Sequence, residues 1–242
     1  MKKGTFTVTS NEALAPGVWR MALAGDTSAI TGPGQFVDLA LPGRFLRRPI
    51  SVCDWTEGEV VLVYKVVGQG TAQMSQMGAG TQLDVLTGLG NGYDLDRSGD
   101  RPLLVGGGVG IPPLYALAKR LLAQGKRPTA VLGFNTAAEI FLADAFRALG
   151  IETVVTTVDG SAGVRGFVTD GMPEGHTYVY TCGPEPMLRA VYEKSRTSGQ
   201  FSFEERMGCG FGACMGCTCR TKYGNKRICR EGPVLEKEEI IW

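Results

Sequence analysis

The stretch RPLLVGGGVGIPPLYALAKRLLAQG, residues 101–125, decides how this chain is read. A short apolar run leads into Gly106-Gly107-Gly108-Val109-Gly110. After Pro112-Pro113, Leu114, Leu117, Ala118, Leu121 and Leu122 recur on one face at helical spacing. The order is strand, glycine turn, helix. Proline suits the first helical turn, where a missing N–H costs nothing. Glycines at such a junction let the backbone approach a phosphate, and the helix start adds unpaired N–H groups and the positive end of its dipole. The dinucleotide fingerprint is incomplete, however. Ile111 stands where its last glycine belongs, and the next strand ends Gly133-Phe134-Asn135 without the acidic residue that reads a ribose. The turn alone leaves a plain tight connection as an alternative, and leaves NAD against NADP open.

Downstream the pattern repeats. TAVLGF is followed by the helical EIFLADAFRALG, then the strand ETVVTTVDG, then TYVYTCGPEPMLRAVYEKS, again strand, turn, helix. Alternation of this kind predicts a Rossmann-like parallel sheet with ligands at the carboxyl ends of its strands. Cys182-Gly183-Pro184 closes one such strand and offers a place for a nicotinamide ring.

Upstream the texture differs. TFTVTS, VWRMALAG, GQFVDLAL, ISVCDW, EVVLVYKVV and TQLDVL are short β-like runs separated by turns such as TGPGQ and LPGR, with no helical stretch between them. They predict a small antiparallel barrel, with a two-sheet sandwich as the alternative. Within it, Arg48-Pro49-Ile50-Ser51, Tyr64-Lys65 and Gly70-Thr71 together offer a rigid guanidinium fork, hydroxyls and backbone N–H groups to a diphosphate. By itself an Arg-Pro pair is as readily a surface turn. Cys53 reads as core, and His176, the single histidine, as a solvated loop residue.

From about Phe201 the chain turns rich in Gly, Cys and Arg, a tail too small to build a core without a metal or a partner. The 242 residues hold seven cysteines, five of them between 209 and 229. CGFGACMGC (209–217) with Cys229 gives C-x4-C-x2-C-x11-C. The N-terminus alternates Thr with apolar residues, unlike a signal peptide, and no apolar run is long enough to span a membrane. A reducing, cytoplasmic address is expected, where such thiols bind metal in preference to forming disulfides. Zinc closes four-cysteine sites, usually through two C-x2-C knuckles; here only Cys214 and Cys217 form one. The spacing matches the plant-type [2Fe–2S] pattern, three ligands on one loop and a distant fourth. The expected metal ligands are Cys209, Cys214, Cys217 and Cys229, with Cys219 outside the set. Lys+Arg 25 against Asp+Glu 24 leaves no excess to attract nucleic acid or an anionic membrane.

Taken together, the Arg-Pro-x-Ser barrel, GGGVGIPP, CGPEPM and CGFGACMGC ending in CREGPV resemble the ferredoxin–NADP reductase superfamily. Within it they resemble the electron-transfer subunits of type B dihydroorotate dehydrogenases, along essentially the whole chain. The resemblance implies three parts: an FAD-binding antiparallel β-barrel (1–97), an NAD-binding α/β domain (98–200) and a small [2Fe–2S] domain (201–242). It assigns FAD to Arg48, Pro49, Ile50, Ser51, Val63, Tyr64, Lys65, Gly70 and Thr71. Gly106, Gly107, Gly108, Gly110, Cys182, Gly183 and Pro184 then flank the NAD site. The broader superfamily often carries an aromatic where Ile50 stands.

What the resemblance implies is an oxidoreductase subunit of de novo pyrimidine synthesis. Electrons from dihydroorotate, oxidised in a partner subunit carrying FMN, pass through the cluster and FAD to NAD+, in a heterotetramer of two copies of each chain. No catalytic acid or base is expected. A reductase subunit of another complex, an NADH–ferredoxin oxidoreductase or a hydrogenase diaphorase, is the alternative. Because the small tail cannot cover a cluster from within, Phe211 and Met215 are expected as apolar contacts for the partner.

Overall fold

The computed structural model describes residues 1–242. Strands β1 (Lys2–Ala15), β2 (Val18–Ala24), β3 (Phe36–Ala40), β4 (Arg48–Thr56), β5 (Glu59–Lys65) and β6 (Gln82–Leu89) close into an antiparallel barrel in the order β1-β2-β5-β4-β3-β6. Closure leaves no free edge, and it is the barrel, not the sandwich, that forms. The period of two does the sorting. On β5, Val60, Leu62 and Tyr64 fill the barrel core, while Val61 and Val63 join a second core outside it.

One element departs from the sequence reading. Gln69–Ser75 is a short helix, α1, so Gly70 and Thr71 lie in a first helical turn where a strand and turn were expected. Seven residues are too few for a periodic signal. The helix is held by tertiary contacts instead: Met74 is buried in the barrel core, and Asn11 Nδ2 donates to the carbonyls of Met74 and Met77, both at 2.9 Å.

The second layer runs β7 (Pro102–Gly107), α2 (Pro112–Ala123), β8 (Thr129–Phe134), α3 (Ala143–Ala148), β9 (Glu152–Thr157), β10 (Val164–Arg165), β11 (Tyr178–Cys182), α4 (Glu185–Lys194) and β12 (Gly199–Ser202). A hairpin, β13 (Thr218–Thr221) and β14 (Gly224–Arg227), and a last strand β15 (Val234–Glu236) follow. The sheet order is β10-β9-β8-β7-β11-β12-β15, parallel except for β15. Helix α3 is shorter than the run EIFLADAFRALG suggests, because Leu142 at φ 61° breaks the helical path before it.

Two cores flank this sheet. Leu114, Leu117, Ala118 and Leu121 of α2 pack with Phe146 of α3 and with Val61 and Val63 on the outside of the barrel. Lys119 Nζ reaches Asp54 at 2.6 Å, and the Arg120 guanidinium lies 4.8 Å from the Trp55 ring centre, so α2 is also pinned to β4 by charge. On the opposite face Leu188 and Val191 of α4 share a core with Phe201, Cys217, Ile228, Cys229, Leu235 and Ile240. The cysteine-rich tail therefore has no separate core. It borrows one, and its strand β15 extends the nucleotide-type sheet. No helix is long and apolar enough to cross a membrane.

Candidate electron-transfer site

The chain leaves β7 for β8 and β9 on one side and returns to β11 and β12 on the other, so the order of strand addition reverses between the parallel strands β7 and β11. Such a switch opens a crevice at the carboxyl ends of the two strands. The glycine turn and Cys182-Gly183-Pro184 meet there, with Cys182 in register with Gly106. A Cβ on Gly110 would overlap the backbone of Cys182 and Gly183. One on Gly106 would crowd Ile111 and Leu114, and one on Gly107 would crowd Met187. These three glycines permit close packing of the protein against itself. Gly108 is different: at φ 51° it has nothing within 4 Å of its Cβ position and borders open space. Burial pushes the Cys182 thiol up to about 12, so it is a neutral group at the crevice wall.

An acidic residue absent from the end of β8 stands five positions after it. Glu139 Oε2 accepts from the backbone N–H of Asn135 at 3.2 Å and from its side-chain amide at 2.9 Å, which brings a carboxylate back to the strand end. A spacing rule tied to the strand's last residue misses it, because a 3₁₀ turn at Ala137–Glu139 intervenes. His176, expected in solvent, is half-buried and lies 3.1 Å from the Pro173 carbonyl through Nδ1.

On the barrel, the Arg48 guanidinium lies directly over Gly70, where any Cβ would collide with it, and Nη1 donates to the Leu46 carbonyl at 2.5 Å. Arg48, at the start of β4, thus meets the first turn of α1, whose N–H groups are free of capping side chains. Thr71 Oγ1 faces inward and accepts from the backbone N–H of Val67 at 3.0 Å. Pro49, Ile50 and Ser51 are half-buried along β4. Of the next strand's three residues, Val63 is committed to the inter-domain core. Tyr64 is committed to the barrel core, its hydroxyl donating to Asn11 Oδ1 at 3.1 Å; only Lys65 is exposed. The donor set, one fixed guanidinium over a glycine beside helix-start N–H groups, fits a diphosphate such as that of FAD.

The cysteines come together as two pairs. Cys209 Sγ accepts from the N–H of Ala213 at 3.2 Å and of Cys214 at 3.4 Å. Cys217 Sγ accepts from the N–H of Cys229 at 3.4 Å. Gly210 (φ 75°), Gly212 (φ 92°) and Met215 (φ 61°) bend the loop so that N–H groups turn toward sulfur. Burial acts to raise the Cys209 thiol, but backbone N–H groups of Cys214, Phe211 and Ala213 outweigh it and bring it down to about 6. Burial and the Cys217 sulfur hold Cys229 up to about 12, so loading a metal displaces that proton. No three His, Cys, Asp or Glu side chains are grouped to hold a single ion. Two thiol pairs, each fed by N–H donors, fit a two-iron cluster. Cys219 stands on β13 opposite Lys226, outside both pairs.

The cysteine loop also touches the barrel. A Cβ on Gly210 would overlap the Asp38 carboxylate, and Asp38 is the cross-strand partner of Pro49. Asp38 is 2% exposed, its Oδ1 has no hydrogen-bond partner, and burial pushes its carboxyl up to about 6 against the pull of Arg47.

A closed antiparallel barrel, a parallel sheet with its crevice at a switch point, and a thiol-rich module fed from both define a ferredoxin–NADP reductase-like oxidoreductase subunit. The comparisons narrow this. The profile for the iron–sulfur cluster binding domain of dihydroorotate dehydrogenase B matches residues 204–241, and an oxidoreductase NAD-binding domain matches 104–193. The electron transfer subunit of dihydroorotate dehydrogenase B (NAD(+)) from Geobacillus sp. strain WCH70 is 41% identical, over 100% of this chain and 99% of its own. Its counterpart from Fusobacterium nucleatum is 41% identical, over 99% of both chains. A solved NADH-dependent reduced ferredoxin–NADP oxidoreductase shares 32% identity with TM-score 0.90, over 98% of this chain and 90% of that one. A Neisseria gonorrhoeae ferredoxin NADP+ reductase shares the fold at TM-score 0.71 and 16% identity, over 80% of this chain and 90% of that one. The chain belongs to the family of dihydroorotate dehydrogenase B electron transfer subunits.

Proposed function

We propose that this chain accepts electrons at a [2Fe–2S] cluster on Cys209, Cys214, Cys217 and Cys229 and delivers them, through FAD on the barrel, to NAD+ at the β7–β11 crevice. The observation that carries this reading is the seat of the cysteine loop. Gly210 lies against Asp38, whose strand partner Pro49 belongs to the Arg48–Ser51 segment. A cluster on that loop sits beside the flavin strands.

When bound, the flavin supplies the one chemistry able to join single-electron and hydride transfer. The chain's own residues do the placing. Arg48 and the first turn of α1 hold the diphosphate, and Gly108 admits a nucleotide phosphate to the start of α2. The half-buried, neutral Cys182 walls the nicotinamide side, and Glu139 engages the adenosine ribose, favouring NAD over NADP by repelling a 2′-phosphate. Delivering two cluster electrons as one hydride would also take up one proton, drawn from solvent, while the chemistry on dihydroorotate would belong to the partner.

That partner is an FMN-containing dihydroorotate dehydrogenase subunit, two copies of each chain forming the complex in the cytoplasm. Phe211 and Met215, 42% and 55% exposed on the cysteine loop, form the apolar contact that covers the cluster. Co-expression with the FMN subunit should yield dihydroorotate-driven NAD+ reduction that neither chain supports alone. Ferredoxin reduction by NADH from this chain by itself would favour a reductase subunit of another complex, an NADH–ferredoxin oxidoreductase or a hydrogenase diaphorase. Replacing any of the four ligand cysteines by serine should lower bound iron, whereas Cys219→Ser should not.

A further inference from the structure

Between the barrel and the sheet the chain passes through Leu89-Gly90-Asn91-Gly92-Tyr93, which by composition is only a turn. In the structure it is a junction. Gly90 (φ 76°) packs so that a Cβ would lie 2.6 Å from Pro233 Cδ, and one on Gly92 (φ 77°) would lie 2.8 Å from the Pro33 carbonyl. Between them, Asn91 turns toward the tail. Its backbone N–H donates to the Gly232 carbonyl at 2.7 Å. Its side-chain amide donates to Val234 O at 2.8 Å and to Glu231 O at 3.2 Å, while Oδ1 accepts from Val234 N at 3.1 Å. The amide thereby pairs with Val234 as the backbone of a neighbouring strand would, at the free edge of β15.

The connection continues to the cysteines. The Glu231 carboxylate holds Arg227, with Nε donating at 2.9 Å and the Arg227 backbone N–H at 2.8 Å. Arg227 Nη1 in turn donates to the carbonyl of Gly212, inside the cysteine loop, at 2.7 Å. On the barrel side Gln35 Nε2 donates to Gly90 O at 3.0 Å, and Gln35 directly precedes β3. Hydrogen bonds joined by short covalent steps, the Gly90–Asn91 peptide and the Glu231 side chain, thus link Gln35 beside β3 to the cysteine loop through Asn91, Glu231 and Arg227.

We propose that Asn91 is a positioning residue for electron transfer. Through Glu231 and Arg227 it sets where the cysteine loop stands relative to the flavin strands of the barrel. This rests on the reading of the four cysteines as cluster ligands. Transfer between two centres depends steeply on their separation, and small displacements of reacting groups carry large rate costs. Asn91 is itself exposed, so shortening it opens no cavity and leaves both cores intact.

The test uses the full-length chain, loaded with FAD and iron, as wild type and Asn91→Ala. Bleaching of the cluster absorbance by NADH should slow on the order of tenfold in the variant. NADH oxidation by ferricyanide, which draws on the flavin alone, should match wild type, as should iron and FAD per chain. Amide exchange across Gly210–Cys217 should quicken. Cluster reduction at the wild-type rate overturns the proposal, and so does a parallel fall in the ferricyanide reaction, which marks a general structural defect. If Asn91→Ala does not fold, Glu231→Gln must show the same split between the two rates, and its failure to do so overturns the proposal equally. A wild-type chain that holds flavin but no iron is a different result: it removes the cysteine reading, and this proposal with it.

Discussion

Gly210 on the cysteine loop is packed against the carboxylate of Asp38 in barrel strand β3, with no room between them for a single added carbon. The contact joins a residue next to the first expected cluster ligand to a residue two positions into barrel strand β3, which pairs with the Arg48–Ser51 segment. Gly210→Ala meets two obstacles, the collision and a φ of 75° that costs an L-residue roughly 1–2 kcal/mol. Iron per chain and the thermal midpoint should both fall, while FAD content holds. A variant with full iron would show that the loop can move away from the barrel at no cost.

Asp38 predicts a pH dependence of known sign. Its carboxyl is raised from 3.8 to about 6 by burial, so the folded protein holds that proton more tightly than the unfolded chain. The resulting stability is complete below the ordinary value and is lost as pH rises through about 6. At ~1.4 kcal/mol per pH unit of difference, the loss is at most about 3 kcal/mol. Asp38→Asn, which does not titrate, should gain on wild type in thermal midpoint as pH rises from 3.8 through about 6. Parallel profiles would show that the group is not held neutral by burial.

The Arg48–Gly70 contact predicts flavin affinity. Gly70→Ala drives a methyl group into the guanidinium and should displace it from the start of α1. Losing one charge-assisted contact of about 1.5–3 kcal/mol corresponds to roughly tenfold to a hundredfold weaker binding. Equilibrium dialysis against FAD reads this directly, with circular dichroism confirming that the barrel is intact.

Glu139 predicts nucleotide choice. Its carboxylate, fixed by Asn135, opposes a 2′-phosphate, so Glu139→Gln should lower the KM for NADPH with little change in kcat for NADH. An unchanged ratio of kcat/KM for the two nucleotides would remove Glu139 from the site.

Phe211→Asp with Met215→Asp predicts loss of the partner. Both side chains are exposed, and Met215 at φ 61° occupies a backbone region that aspartate tolerates well, so folding should survive. The variant should retain iron and FAD yet no longer co-purify with the FMN subunit. Intact co-purification would place the docking face elsewhere.

Much of this was legible in local pattern. Alternating residues placed the six barrel strands, as at β5, where Val60 and Leu62 turn inward while Val61 and Val63 turn outward. The glycine turn marked the start of the parallel layer, and cysteine spacing separated four thiols from Cys219. Other features left no local trace. Helix α1 is seven residues long, and β15 is three, each below the length at which periodicity can speak.

Sequence alone therefore determined most element types and their order, α1 and β15 excepted, and pointed to the chemistry of the thiol loop, because those depend on neighbours within a few residues. Only the tertiary structure decided what each element meets. It put Tyr64 inside the barrel, returned Glu139 to the end of β8, closed Gly210 onto Asp38, and set Asn91 against Val234, 143 positions away. Periodicity reports that a face is buried and says nothing of its partner. Hydrogen bonds between distant backbone groups carry no residue pattern at all, so the joint between barrel and cysteine loop appears only once the chain is folded.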